Sequence, residues 1–317
     1  MPRVSVIAQC YNHARFLVEC LESVEAQTFR DFELIIVDDA STDDSVERIR
    51  DWVARRRPAA RVLALAANHG VAGALNAALA ATTGSLVIRV ATDDIWHPAL
   101  LDRLVAALDA APAQAPMAFS DAACVDAESR DLGRRFIAMH RPGFVPRSGA
   151  MLDELAVGNF IPAPTVLMRK AALDAVGAFD ARLMYEDWDM WLRLATRGPL
   201  VFVPEVLAQY RIVDGSLART LFESPDAVTS TRLAQTHCLM AEKVLTFPVV
   251  HESGRRFWRT VHFENALKLF LRPESDRRPL RKGLRWYRSP RHVAVSMTAS
   301  LGLPRTWVER VRGLARV

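Results

Sequence analysis

Carboxylates placed where apolar runs end do little for stability and suit chemistry. The chain has two such pairs, Asp38-Asp39 in LIIVDDAST and Asp93-Asp94 in LVIRVATDDIW. Each pair closes a short apolar run and precedes a turn or a helix start. One pair is unremarkable, because Asp38-Asp39 can open a turn whose next helix is capped by Ser41, and Asp93-Asp94 can cap the helix entered at Pro98. Two pairs, with the element spacing described next, point to binding of a nucleotide and a divalent metal. Mg and Mn sites commonly need only one or two protein carboxylates, with water and substrate oxygens as the other ligands.

The elements that must position these pairs follow from periodicity. Residues 3–10 (RVSVIAQC), Phe32 to Val37, Val62 to Ala66 and Leu86 to Val90 read as strands. Between them, residues 14–27, the run from Ser41 to about Arg57, and residues 71–81 read as helices, with apolar positions such as Phe16, Leu17, Cys20, Leu21 and Val24 at helical spacing. Four rounds of alternation imply a parallel sheet covered by helices on both faces. In such sheets ligands bind beyond the carboxyl ends of the strands. Gln9, Tyr11, Asn12, Asp38, Asp39, Asp93 and Asp94 all fall there, so three loops are expected to converge on one cleft. Further along, residues 98–110 read as a helix, 117–126 as a strand, 127–160 as irregular, and 164–176 as a short strand and a helix. Residues 186–196 read as a helix opening with the acidic-aromatic run YEDWD, 200–203 and 206–212 as strands, and everything from about 220 onward as helical.

Composition narrows the class. The chain has 317 residues, 50% hydrophobic and 24% charged, which is ordinary globular usage. No apolar run approaches the roughly 20 residues of a membrane span, and the start of the chain lacks the pattern of a signal peptide. Cys10, Cys20, Cys124 and Cys238 show no metal-ligand or paired spacing, which suits buried, reduced thiols and a cytoplasmic location. Residues 251–317 carry 16 Lys/Arg against 5 Asp/Glu, whereas the first 250 residues carry 25 against 31, so the net +5 conceals an acidic body and a basic tail. His69, His97 and His140 read as solvated or core histidines.

Five pieces in order, VSVIAQCYN, QTFRDFELIIVDDASTDDS, NHGVAGALN, ATDDIW and YEDWDMWLRL, resemble family 2 of the inverting glycosyltransferases across about residues 3–215. The resemblance implies the GT-A fold, a Rossmann-like α/β domain with a mixed, mainly parallel sheet flanked by helices. It implies that Asp39, with Tyr11 and the backbone around Gln9, holds the base of a nucleotide diphosphate sugar. Asp93 would approach the ribose or sugar, Asp94 would ligate Mn2+ or Mg2+ at the diphosphate, and Asp187 would be the catalytic base. Elementary chemistry agrees with these roles. A carboxylate accepts a pyrimidine N–H in a charge-assisted bond, a hard cation neutralises a departing diphosphate, and general-base help is worth about 10²–10⁴-fold. In a helix Glu186 and Asp189 share one face while Asp187 projects elsewhere.

The sequence departs from the family pattern at three positions. Ala91 stands where an acid is common, Leu75 stands where Arg often precedes the Asn of the third motif, and Val213 stands where His is frequent. The third departure leaves Arg211, Asp214 or Ser216 as alternatives for the missing histidine.

The expected organisation is a GT-A domain over residues 1–218 and a basic, mainly helical extension over 219–317. The expected activity is metal-dependent inverting transfer, with a UDP-sugar favoured, to a hydroxyl of a glycan or lipid-linked acceptor in bacterial surface polysaccharide synthesis. The basic runs RRFWR, RRPLRKGLRWYR and WVERVRGLARV interleave Arg with aromatic and apolar residues, which suits a peripheral contact with an anionic membrane. A solvated basic face is the plainer reading, and no nucleic-acid module is present. A nucleotidyltransferase and a non-catalytic nucleotide-sugar-binding module are the competing readings. AQCYNHARF lacks the Gly-rich basic loop that the first wants, and the retained Asp94 and Asp187 oppose the second.

Overall fold

Strand–helix alternation builds the first half of the chain. β1 (Val4–Cys10), β2 (Phe32–Asp38), β3 (Arg61–Ala64) and β4 (Leu86–Ala91) alternate with α1 (Leu17–Glu25), α2 (Ser45–Arg56) and α3 (Gly70–Ala80). The computed structural model describes residues 1–213, 226–247, 250–272 and 276–301. Asp214, Ser216 and the WVERVRGLARV run lie outside the described residues. The first of two compact units comprises Met1–Ala181 and Glu186–Asp214.

That unit continues with β5 (Ile95–Trp96), α4 (Leu100–Ala110), β6 (Met117–Val125), β7 (Asp131–Arg135), α5 (Phe136–His140) and α6 (Leu152–Ala156). A 3-10 turn (Ala163–Thr165), β8 (Leu167–Arg169), α7 (Lys170–Val176), α8 (Glu186–Ala195) and β9 (Val201–Arg211) complete it. The strands form one mixed sheet in the order β3-β2-β1-β4-β8-β6-β9-β5, with β7 paired to β6. β3, β2, β1 and β4 are mutually parallel, β8 runs antiparallel to β4 and β6, and β9 runs parallel to β6. The carboxyl ends of β1, β2, β4, β6 and β9 therefore share one edge.

Alternation fixes the two faces of the sheet. Val4, Val6, Ala8 and Cys10 of β1 pack with Leu34, Ile36, Ile88 and Val90 against α1, α2 and α4. In α1 the buried residues are Leu17, Cys20, Leu21 and Val24, the i, i+3, i+4, i+7 stripe of a surface helix. Each fully buried Leu contributes roughly 1.5–3 kcal/mol. Ile7, Ile35, Val37 and Val87, out of phase with the first set, are equally buried, as expected of parallel strands covered on both sides. α3 lies against β1 and β2. Its Leu75, at the position where the family often carries Arg, is fully buried. Gly84 brings the chain into β4, and a Cβ there would lie 2.8 Å from the Ser5 amide nitrogen, closer than side chains tolerate.

Several boundaries differ from those expected. α1 begins at Leu17 because the amides of Phe16 and Leu17 both turn back to the His13 carbonyl. α2 begins at Ser45, not just after Ser41, because the Ser41 hydroxyl donates to Asp38 at 2.6 Å and is not available as a cap. The stretch expected to be irregular, 127–160, holds β7, α5 and α6. The two strands expected at 200–203 and 206–212 are one strand, β9, whose register against β6 shifts between Phe119 and Ala122, opposite Pro204. Proline lacks the amide a regular ladder needs, so a bulge accommodates it.

The second unit comprises Arg182–Tyr185 and Gly215–Val317. Its described helices are α9 (Ala227–Val244), α10 (Glu252–Leu271), α11 (Arg278–Gly283) and α12 (Pro290–Ser300). They close on a separate core that includes Cys238, Phe263, Phe270, Leu280, Tyr287 and Val295. The Asp226 side chain caps α9 by accepting the Thr229 amide at 2.6 Å. No helix among the described residues is long and apolar enough to cross a membrane.

Candidate active site

The carboxyl edge of the sheet gathers the first group of predicted residues. The amide of Asp39, just past β2, donates to the Cys10 carbonyl at 3.0 Å, and that of Thr92, just past β4, donates to the Gln9 carbonyl at 2.9 Å. Gln9, Tyr11, Asp39 and the Thr92–Asp94 segment are thus neighbours through the backbone of β1. The Gln9 side chain is buried, and its Nε2 donates to the Val71 carbonyl at 3.1 Å, which fixes the start of α3 beside the edge. Tyr11 is 43% exposed, so its ring presents a face to solvent.

The two members of the first pair do different work. Asp38 is buried, and its carboxylate accepts both the amide and the hydroxyl of Ser41 at 2.9 and 2.6 Å. The Ser41 hydroxyl in turn accepts the Asn12 amide at 2.8 Å. Asp38 therefore ties the β1 and β2 loops together. Asp39 uses one oxygen, Oδ1, to accept the His69 amide at 2.7 Å, and no hydrogen bond among the described residues reaches its Oδ2. Asn12 and Ala40 flank this corner with φ of +54° and +59°. Asparagine tolerates that region, but alanine adopts it at a cost of order 1 kcal/mol.

The second pair divides similarly. Asp94 is buried, and its Oδ1 accepts the Arg211 amide from the end of β9 at 3.0 Å. Burial first, and then the neighbouring Asp93 charge, push its carboxyl well above the usual range, while the Arg211 amide and the charges of Arg89 and Arg211 pull it back. Asp93 is more open. Its Oδ1 lies 3.8 Å from His13 Nδ1, which is also 3.0 Å from the Thr92 hydroxyl. His13 escaped the sequence reading. Its signal was its place two residues beyond Tyr11 on the same loop.

Arg211, one alternative for the missing histidine, is fully committed. Its Nε donates to the Asp93 carbonyl at 2.7 Å, its Nη1 to the Asp126 carbonyl and the Ser129 hydroxyl, and its Nη2 to Glu19 at 2.7 Å. The guanidinium braces the acidic loop from beneath.

α8 brings the third acidic cluster. Glu186 and Asp189 face inward and are buried, and Asp187 is half-buried on a different face. Asp189 pairs with Arg193 at 2.8 Å, and Arg193 also donates to the carbonyls of Val176, Gly177 and Ala178. Glu186 lies 3.2 Å from the Arg89 guanidinium of β4. Asp187 Oδ2 accepts from Asn159 Nδ2 at 3.2 Å, and its Oδ1 accepts the Trp188 amide at 2.7 Å. Trp191 is core, and the Trp188 indole N–H donates to the Leu155 carbonyl at 2.8 Å. Neither tryptophan is a reacting group.

The Tyr210 phenol, next to Arg211 on β9, is pushed above its usual range by burial first, and then by the charges of Asp94, Asp93 and Asp187 in that order. Those carboxylates come from the end of β4 and the start of α8, 93 residues apart in sequence. Tyr210 was not singled out in the sequence. A tyrosine at the end of a strand gives no sign of what surrounds it.

An exposed aromatic, a half-used carboxylate and a second carboxylate pair share the carboxyl edge of the sheet, an arrangement suited to a nucleotide. The model of glycosyl transferase family 2 matches residues 5–177. The chain belongs to this family. As a family 2 member it is a glycosyltransferase. It is 43% identical over 103 residues to an uncharacterized glycosyltransferase of Nostoc sp., a match covering 32% of each protein. It is 28% identical over 211 residues to the amylovoran biosynthesis glycosyltransferase AmsE of Erwinia amylovora, covering 65% of this chain and 75% of AmsE. Among solved structures, S. aureus TarS (residues 1–349) in complex with UDP-GlcNAc superposes with a TM-score of 0.64 at 18% identity, covering 94% of this chain and 87% of that one. This likeness establishes the GT-A fold of the family 2 chain, whose mixed, mainly parallel sheet is flanked by helices.

Proposed function

We propose that this family 2 glycosyltransferase is a metal-dependent inverting enzyme that moves a sugar from a UDP-sugar to a hydroxyl of a glycan or lipid-linked acceptor in bacterial polysaccharide synthesis. The observation that carries the reading is the shared carboxyl edge of the sheet, where Asp39 and the Thr92–Asp94 segment meet through backbone bonds to Cys10 and Gln9. AmsE and the TarS complex support the polysaccharide context and the UDP donor by what they are named for and what that crystal contains.

In this reading Tyr11 stacks on the base and the free oxygen of Asp39 accepts a base N–H, a charge-assisted bond. Asp93, with His13 beside it, takes a ribose or sugar hydroxyl. Among the described residues no group of three or more His, Cys, Asp and Glu could form a metal cage. A cation held at the substrate would need no cage, because one carboxylate together with substrate and water oxygens could complete its coordination. Asp94 fits that role. Its buried carboxylate accepts the Arg211 amide on Oδ1, and no ion pair among the described residues reaches it. Bound there, Mn2+ or Mg2+ would neutralise the charge that develops on the leaving diphosphate.

Asp187 then acts on the acceptor. Its carboxylate, steadied by Asn159, takes the proton of the acceptor hydroxyl as the oxygen bonds to the anomeric carbon. The bond from that carbon to the diphosphate oxygen breaks with its electron pair going to the nucleotide, so attack from the opposite face inverts the centre. Residues 1–218 would carry this chemistry. The basic extension over 219–317 would hold the enzyme peripherally at an anionic membrane on the cytoplasmic side.

Calorimetry with UDP, GDP and dTDP, each with and without Mn2+, tests the donor reading. Binding of UDP that strengthens with Mn2+ supports it, and no metal-dependent binding of any nucleotide removes it. Flotation of the full chain with vesicles containing phosphatidylserine, against phosphatidylcholine alone, tests the membrane reading. Equal flotation ends it.

A further inference from the structure

We propose that Arg89 is a positioning residue for the base helix, holding Glu186 so that α8 presents Asp187 in its working place. The proposal rests on the reading of Asp187 given above, and it concerns side chains that reading does not use.

Arg89 sits in the middle of β4, a strand otherwise made of Leu, Val, Ile and Ala. It is 8% exposed and Glu186 is 5% exposed, so the two groups meet out of water. A buried pair of this kind is a poor device for stability, because removing two charges from water offsets most of their attraction. Such pairs are well suited to fixing one arrangement of elements against another. Here the pair joins the first parallel block of the sheet to the helix that carries Asp187, with Nη2 of Arg89 3.2 Å from Glu186 Oε1. Glu186 immediately precedes Asp187, so a shift of Glu186 along its partner moves Asp187 with it.

One further feature sets this guanidinium apart from a simple stabilising pair. Its Nε is buried with no hydrogen-bond partner among the described residues, so the group is not placed to satisfy its own donors. Lysine could supply the charge but not the planar fork that spans two directions. Arg89 is thus a buried cation of β4 held against the first residue of the helix proposed for the base.

Positioning and plain structural roles separate in the kinetics. The test follows UDP release from the UDP-sugar that binds most tightly in calorimetry, at pH 8, where Glu186 is ionised. Glu186→Gln and Arg89→Lys keep volume and polarity. In a third protein Arg89→Met is combined with Glu186→Leu, exchanging the pair for apolar groups, a change that often leaves stability intact. All three are expected to bind UDP within about threefold of wild type and to lose kcat by about 100-fold, the scale of an ångström misplacement, with little change in donor KM. Wild-type kcat in a folded Glu186→Gln protein overturns the proposal. So does a kcat loss matched by an equal loss of melting temperature and UDP affinity. Asp187→Asn run alongside distinguishes the two readings. If it also turns over at the wild-type rate, the base assignment fails; if it alone is inactive, only the positioning role of Arg89 fails.

Discussion

The backbone amide of Arg211 donates to Asp94 Oδ1 at 3.0 Å while its side chain braces the carbonyl of Asp93 at 2.7 Å. One residue at the end of β9 thus sets both members of the acidic pair that ends β4. Lysine at 211 keeps a charge but cannot make the same five-donor fork. Arg211→Lys is expected to cost about 1.5–3 kcal/mol, the scale of a lost hydrogen bond to a charged group, and to weaken Mn2+-dependent UDP binding more than metal-free binding. Urea denaturation and calorimetry read the two effects. Unchanged metal dependence would show that Arg211 supports the fold and not the site.

Asp38 and Asp39 are neighbours with opposite expectations. Asp38→Ala removes both acceptors of Ser41 and unties the loop that holds Asn12. It should lower stability by about 1–3 kcal/mol. Asp39→Asn keeps the oxygen that accepts the His69 amide but loses the negative charge. It should leave the melting temperature nearly unchanged and weaken UDP binding about tenfold, which is about 1.4 kcal/mol. The reverse pattern, with nucleotide affinity following Asp38, would exchange the assignments.

Glu186 gives stability a pH dependence of predictable sign. Burial raises its carboxyl from 4.5 to about 7, and the Arg89 charge only partly opposes that rise. Between those values the folded protein keeps a proton that the unfolded chain has released, so this group's contribution is fully present below about pH 4.5 and is lost as pH rises through 7. From pH 5 to pH 8 the wild type should lose more stability than Glu186→Gln, whose amide does not titrate. Urea midpoints of both proteins at the two pH values give the difference. Parallel losses would mean that Glu186 is ionised throughout.

The order of elements and the edge where the carboxylates gather were legible in the sequence because both depend on local pattern. Alternating periodicities set β1 to β4, and a parallel sheet puts Asp39 and Asp94 at one edge without further information. The resemblance named Asp187, helical spacing separated it from the face shared by Glu186 and Asp189, and those two are the buried pair. Illegible features depended on which distant group occupies the other end of a contact. Ser41 read as a helix cap because the sequence shows its distance from the helix but not that Asp38 and Asn12 engage it first. Arg211 read as an alternative for the missing histidine because its partners Glu19, Ser129 and Asp126 lie 80 or more residues away. His13 and Arg89 belong to the same class.

Asn76 provides a last test of how the first unit holds the base helix. It follows Leu75 in the third motif, on α3, yet both ends of its amide turn to the segment leading toward α8. Nδ2 donates to the Phe179 carbonyl at 2.8 Å, and Oδ1 accepts the Phe179 amide at 2.9 Å. The two bonds imitate a strand pairing between a helix side chain and a loop backbone. Asn76→Ala leaves a backbone donor and a backbone acceptor without partners in a half-buried place, at a cost of about 1–3 kcal/mol. Asn76→Asp keeps the acceptor and loses the donor, so it should cost less at neutral pH. If the segment sets the approach of α8 to the cleft, both variants should also lower kcat more than UDP affinity, in the same order as their loss of stability. Full turnover in Asn76→Ala, with the expected loss of stability, would confine the residue to the fold and leave the placement of Asp187 to Arg89, Arg193 and Asn159.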